Sequence, residues 1–295
     1  MARLNFGRLL TAMVTPMTDQ GAVDFQAAAA LAEKLVATGS DGIVVSGTTG
    51  ESPTLSTEEK EELFHVVVEA VGGKASVVAG TGSYNTQASI QLTDIAQRAG
   101  VDGLLLVTPY YNKPPQEGLY QHFRAIAQST SLPILLYNIP GRTNVNIELN
   151  TMVRLAEIEN IVGVKEASGN LNQVAAIRSL CPSNFLIYSG DDSLTLPTMS
   201  LGGVGVISVA AHLVGRRLKE MIEAFAQGKV ELAEEINSEL MPLFKALFLT
   251  TNPIPVKAAL NMVGQQVGGV RLPLVDATED EKKQLRGTLE QLGLA

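Results

Sequence analysis

The chain has no tryptophan and only one cysteine, Cys181. A single thiol closes no intramolecular disulfide, which fits a reducing compartment and a fold held by packing. No nucleophile motif surrounds Cys181, so it reads as a small buried or loop thiol. Histidine is scarce too. His65, His122 and His212 are scattered, with no HxH or HExxH spacing and no clustered acid set, so no metal site is expected. Positive charge is not in excess: 22 basic against 30 acidic residues leave a net charge of −8. Without a basic run, that balance argues against a nucleic-acid surface. No apolar run approaches the roughly 18 residues of a membrane-spanning helix. Residues 9–14 follow Arg8 like a weak signal-peptide core, but the run is short, meets Thr15-Pro16 and has no small-residue cleavage site after it. A first strand is the better reading, and a cytoplasmic location without membrane or nucleic-acid partners is the expectation.

Short apolar runs recur at 9–14, 42–45, 76–79, 103–107, 134–137, 161–164, 186–189 and 204–209. They are near-continuously apolar rather than alternating, as parallel strands covered on both faces require. Amphipathic stretches separate most of them and carry start and stop signals. Asp24 precedes one that ends at Gly39, Ser56 with Glu59 three residues later opens another, 86–99 ends at Gly100, and 117–128 follows Pro114-Pro115. Eight strand–helix units predict an α/β fold, a (β/α)₈ TIM barrel over 1–227. A doubly wound sheet is the rival, but no GxGxxG or GxxxxGK[ST] turn is present. A helix is expected at 213–227. Residues 228–295 then show no strand pattern and predict a C-terminal helical appendage, with helices at 230–249, 254–263 and 279–292, packed on the barrel.

Active sites of such barrels form at the carboxyl ends of the strands. There the chain places Thr15, Ser46 to Ser52, Thr81, Tyr110-Tyr111, Tyr137 to Arg142, Lys165 to Ser168, Asp191-Asp192 and Ser208. Hydroxyls, one lysine and one arginine converge on one rim. Asp191-Asp192 reads as a helix N-cap rather than a metal pair. His65 and His122 fall within expected helices and read as helix-surface or packed residues.

Lys165 follows Ile161-Val162-Gly163-Val164, and lysine is rarely buried without a partner or a use. A desolvated amine loses proton affinity, and a neutral amine attacks a carbonyl to form a Schiff base. The competing reading is a lysine that reaches solvent or pairs with Glu166. Strand neighbours point to opposite faces, which makes Glu166 the poorer partner. The hydroxyls on the same rim favour chemistry.

Six segments, SGTTGES (46–52), VTPYYN (107–112), LLYNIPGR (135–142), GVKEAS (163–168), YSGDD (188–192) and GGVGVIS (202–208), occur in this order. Together they resemble the dihydrodipicolinate synthase/N-acetylneuraminate lyase family of pyruvate-dependent Schiff-base aldolases along nearly the whole chain. The resemblance implies that Lys165 forms an imine with pyruvate, with no separate cofactor, and that Tyr137 relays protons. It implies that Thr49 links Tyr137 to Tyr111, which enters from a neighbouring subunit. Thr48 and the Thr49 amide would hold the pyruvate carboxylate, and the Gly190 and Ile207 carbonyls would line the site. Arg142 would bind the carboxylate of the second substrate, as an arginine fork suits. Its place in YNIPGR resembles the branch that condenses pyruvate with L-aspartate 4-semialdehyde on the diaminopimelate and lysine pathway. A homotetramer of two tight dimers is implied. Lysine-inhibited relatives carry Asn and Glu where this chain has Tyr84 and Ala88, so weak or absent feedback by lysine is expected. Two further readings stay open: another pyruvate aldolase acting on a sugar acid or keto acid, and a non-catalytic barrel that binds a keto acid.

Overall fold

The computed structural model describes residues 6–295; the first five residues of the expected barrel segment 1–227 lie outside the described residues. Eight strands, β1 (Leu9–Ala12), β2 (Gly42–Val45), β3 (Ser76–Gly80), β4 (Gly103–Val107), β5 (Ile134–Asn138), β6 (Ile161–Glu166), β7 (Leu186–Ser189) and β8 (Gly205–Ser208), form a closed barrel in chain order. All pairs are parallel, and β8 closes on β1 through Leu10↔Ile207. The helices are α1 (Phe25–Ala37), α2 (Thr57–Val71), α3 (Thr86–Arg98), α4 (Gln116–Ala127), α5 (Pro140–Thr143), α6 (Leu149–Ala156), α7 (Leu171–Leu180), α8 (Thr195–Ser200) and α9 (Ala211–Ala226). Beyond them come α10 (Val230–Ala246), α11 (Ile254–Met262) and α12 (Glu279–Gln291). The expected TIM barrel with C-terminal helices is therefore the observed fold. Among the described residues, no helix is long and apolar enough to cross a membrane.

The near-continuous apolar runs are explained by two separate cores. Outward-facing strand residues such as Ile43, Val77, Leu104 and Leu136 pack beneath the helices. Inward-facing ones, including Leu10, Val44, Val78, Leu105, Leu135 and Ile207, fill the barrel interior. Leu63, Phe64, Val67 and Val71 form the buried stripe of α2, spaced for one helical face. Each such side chain contributes about 1.5–3 kcal/mol by leaving water. The α2 start is a reciprocal cap: Glu59 N donates to Ser56 Oγ and Ser56 N to Glu59 Oε2.

Two local expectations shift. Lys165 and Glu166 lie inside β6 rather than after it, because pairing continues on both sides, with Tyr137↔Lys165 and Lys165↔Tyr188. The helix expected at 213–227 begins at Ala211. The turn before it and its first amide are held by side chains. Val209 N and Ala210 N donate to Asp192 Oδ2, and Ala211 N donates to Ser208 Oγ. Asp192 lies 17 positions from Val209, so its hold on this turn leaves no local signal.

The C-terminal helices are fastened to the top of the barrel. Lys257 Nζ donates to Glu51 Oε1 and to Thr15 O, each at 2.9 Å, and also to Gly269 O. Arg271 pairs with Glu59 and donates to Thr54 O and Gly21 O.

Candidate active site

Lys165 reaches the barrel interior through a register irregularity. Ile134 pairs with Ile161 but Leu135 pairs with Gly163, so Val162 is bulged out. A bulge adds one residue and re-aims the side chains that follow. Gly163 permits it, since a Cβ there would meet Leu186 O at 2.5 Å. Lys165 then points inward and Glu166 outward. Glu166 accepts hydrogen bonds from Asn138 Nδ2, Gln173 Nε2 and Ser168 N. The Lys165–Glu166 pairing is excluded by this geometry.

Lys165 is only 5% exposed. Burial pushes its amine down to about 8, with Asp192 opposing that shift and Arg142 reinforcing it. Its Nζ lies 4.5 Å from the centroid of the Tyr137 ring. No hydrogen bond holds Nζ among the described residues. Gly190 leaves room for the lysine stem: a Cβ there would lie 3.1 Å from Lys165 Cε and 2.5 Å from Ala167 Cβ. Ile207 sits in the same interior cluster as Tyr137 and Tyr188.

A cavity of about 200 Å³ is lined by Thr48, Tyr110, Tyr137, Ile139, Arg142 and Thr143, among others; Lys165, Thr49, Gly190 and Ile207 are not among its lining residues, and Tyr137 joins the lysine to it. Burial raises the Tyr137 phenol to about 12, while the nearby Arg142 guanidinium and a hydrogen bond with Thr48 pull the other way. The phenol therefore stays protonated near neutral pH and can act as a proton donor. Arg142 is carried by α5, with Nη2 donating to Asn252 O at 3.0 Å.

Two expected residues sit differently from the rest. Thr48 is the threonine whose hydroxyl acts on the Tyr137 phenol, and Thr49 Oγ1 accepts from Asn252 Nδ2 at 2.9 Å. The expected link through Thr49 is corrected to Thr48. Ser46 and Glu51 both take φ 56° on either side of the turn that carries the two threonines. Tyr111 is 90% exposed and outside its own chain's cavity. It has φ 69°, a conformation costly for a bulky residue.

The sequence reading passed over Asp192. Asp191 does cap, accepting from Ser193 N at 2.8 Å. Asp192 is buried instead, held by Ser208 Oγ and two amides. Burial raises its proton affinity, and its charge is the one that opposes the fall at Lys165. Only the doubled aspartate hinted at this. His212 is structural: Nε2 accepts from Val14 N, and Nδ1 pairs with Val209 O. His122 is buried on α4 with Nδ1 2.9 Å from Thr86 Oγ1. Among the described residues no group of three or more His, Cys, Asp or Glu side chains is arranged to hold a metal ion.

A closed parallel barrel with a buried, unbonded lysine, a tyrosine ring beside it and an arginine at the cavity wall has the make-up of an imine-forming (β/α)₈ enzyme. The chain matches the dihydrodipicolinate synthetase family over residues 5–292 and belongs to it. It is 60% identical over 291 residues, 99% of each chain, to the 4-hydroxy-tetrahydrodipicolinate synthase of Desulforudis audaxviator (strain MP104C). It is 57% identical over 295 residues, 100% of each chain, to that of Desulforamulus reducens. Among solved structures, the dihydrodipicolinate synthase of Cyanidioschyzon merolae with lysine bound gives a TM-score of 0.97 at 52% identity, covering 98% of this chain and 99% of that one. A monomeric dihydrodipicolinate synthase variant gives 0.96 at 41% identity, covering 98% of each.

Proposed function

We infer that the chain is a lyase that condenses pyruvate with L-aspartate 4-semialdehyde to 4-hydroxy-tetrahydrodipicolinate, in diaminopimelate and lysine biosynthesis. The names shared by its full-length relatives support the reaction. The observation that carries the chemistry is the buried, unbonded Lys165 amine, lowered to about 8.

In this reading the neutral Lys165 amine attacks C2 of pyruvate, and loss of water gives the imine. The protonated imine draws electrons from C3, so a C3 proton leaves and an enamine forms. The enamine carbon attacks the aldehyde carbon of the semialdehyde. The amino group of the adduct then displaces Lys165 at C2, closing the ring and freeing the enzyme. Tyr137 donates and accepts protons above the imine carbon, passing them through the Thr48 hydroxyl. The Thr48-Thr49 turn holds the pyruvate carboxylate, Gly190 and Ile207 line the floor, and Arg142 holds the carboxylate of the semialdehyde. The imine supplies the electron sink, so no separate cofactor enters this scheme.

Tyr111 completes the relay from a second copy. Its exposure and left-handed backbone support a residue presented to a neighbour. A dimer is the smallest unit this requires, and the proposed assembly is a homotetramer of two such dimers in the cytoplasm. The division at 227/228 is kept as a proposal, with 1–227 as the catalytic barrel and 228–295 as a helical region packed on it.

The test is borohydride reduction with and without pyruvate, followed by peptide mass mapping. A pyruvate-dependent adduct on Lys165, with turnover on the semialdehyde, is expected. Folded protein that binds pyruvate without an adduct would overturn the reading in favour of a keto-acid-binding barrel. An adduct without turnover on the semialdehyde would point to another aldehyde substrate.

A further inference from the structure

One residue assigned no role above touches both carboxylate-binding positions. Asn252 lies between α10 and α11 and is 5% exposed. Its main-chain oxygen accepts from Arg142 Nη2 at 3.0 Å. Its side-chain Nδ2 donates to Thr49 Oγ1 at 2.9 Å. Its Oδ1 is buried and has no hydrogen-bond partner among the described residues. A buried amide needs partners for both its donor and its acceptor, and an apolar side chain would be buried at less cost. Stability alone does not account for the amide.

The two handles of Asn252 serve different groups. The backbone carbonyl fixes the guanidinium, and the side-chain amide fixes the turn that carries Thr48 and Thr49. Because Thr49 Oγ1 accepts from the amide, its own proton is turned away from Asn252. Asn252 is itself anchored. Lys257, in the helix that follows it, is ion-paired to Glu51, two residues beyond Thr49. The turn is therefore gripped at Thr49 and at Glu51 by one short C-terminal segment.

We propose that Asn252 is a positioning residue that sets the Thr48-Thr49 turn relative to Arg142, and so the separation at which the carboxylates of the two substrates are held. The proposal rests on the functional reading above. It places the C-terminal region inside the recognition machinery, although none of its side chains touches the reacting atoms.

Asn252→Ala removes the amide and keeps the carbonyl that holds Arg142. The expected result is a rise in KM for pyruvate of about tenfold, the effect of one hydrogen bond. The turnover number and the KM for the semialdehyde should stay within about threefold, since one orienting contact is changed at one substrate only. The borohydride adduct should still form at saturating pyruvate. Asn252→Asp keeps the size, loses the donor and adds a negative charge near the pyruvate carboxylate, so its pyruvate KM should rise at least as far. In a Thr49→Val background, Asn252→Ala should have no further effect on that KM. Wild-type pyruvate KM in both folded variants would overturn the proposal. So would an equal rise in both KM values with a lowered melting temperature, the mark of a merely structural role. If one variant does not fold, the other decides. Wild-type protein that forms no pyruvate adduct at all would instead overturn the functional reading, and this proposal with it.

Discussion

Two lysines, Lys165 and Lys257, are buried almost equally, at 5% and 1% exposure. Burial lowers the proton affinity of both. Their surroundings divide them. Lys257 is wrapped by the carbonyls of Thr15 and Gly269 and the carboxylate of Glu51. Lys165 has a tyrosine ring that lines the cavity and an aspartate already bonded elsewhere. Burial alone therefore does not make a reactive amine. Withholding acceptors does, and the cost of that arrangement falls on the lysine meant for chemistry.

The sharpest way to break the comparison is to replace each lysine by methionine. Lys165→Met should abolish the borohydride adduct and lower kcat by at least about 10³-fold, because the covalent step is lost. Its stability should be unchanged or raised by about 1–3 kcal/mol, as a desolvated charge is replaced by an apolar chain of similar length. The pH dependence has a definite sign. The folded-state value of Lys165 is about 8 against an ordinary 10.5, so between those values the unfolded chain binds more protons. Wild-type stability should therefore gain up to about 3 kcal/mol relative to Lys165→Met as pH rises through that window. Denaturant titrations across it check this, and parallel curves would reject a buried, depressed lysine. Below pH 8 the rate of adduct formation should fall with the neutral fraction.

Lys257→Met should do the reverse. It leaves the Glu51 carboxylate buried with only Arg271 N on its other oxygen, and breaking a buried pair costs about 3–5 kcal/mol. Denaturation midpoints should drop accordingly, while the protein that remains folded still forms the adduct on Lys165. A stable Lys257→Met variant lacking the adduct would erase the distinction between the two lysines.

Arg142→Ala probes the third cation of the site and should have a smaller effect. The semialdehyde KM should rise by about 10–100-fold, in keeping with one lost charge-assisted contact of about 1.5–3 kcal/mol, and imine formation with pyruvate should survive. Stopped-flow or trapping experiments with pyruvate alone separate the two steps. Loss of the imine in this variant would refute the assigned role.

The difference between the lysines was only half legible in the sequence. The barrel was readable because strands buried on both faces leave uninterrupted apolar runs, and Lys165 ended such a run. Its inward direction depends on the bulge at Val162, which no residue pattern announces. Adjacent threonines look alike in a sequence, and only their partners in the fold separate Thr48 from Thr49. Asn252 lies 203 positions from Thr49, and Lys257 lies 206 from Glu51. Their roles come from closure of the C-terminal segment over the barrel. Lys257 falls within the helix expected at 254–263, where no neighbour in sequence marks an ion pair. Capping signals such as Ser56 with Glu59 were legible because they are local, whereas the hold of Asp192 on the Val209-Ala210 turn before α9 was hidden because it is not.

A third lysine extends the comparison to regulation and carries the smallest expected effect. Lys60 is part of a second cavity of about 340 Å³, with Ser52, Thr57, Ser83, Tyr84, Ala88, Gln91 and Tyr110. Burial lowers the proton affinity of Lys60, and Glu59 only partly opposes it. No carboxylate lines this cavity among the described residues, and Tyr84 and Ala88 stand where lysine-inhibited relatives are expected to carry Asn and Glu. An amino acid with a second ammonium would bring that charge beside Lys60 and find no acid to receive it, a like-charge arrangement that costs binding. Free lysine at sub-millimolar concentration should therefore leave initial rates within about 20% of the uninhibited value, the small occupancy expected of an unpaired cation. Placing a carboxylate in the cavity with Ala88→Glu should strengthen inhibition. Strong sub-millimolar inhibition of the unaltered chain would show that an ammonium can be accommodated without an acid from its own subunit.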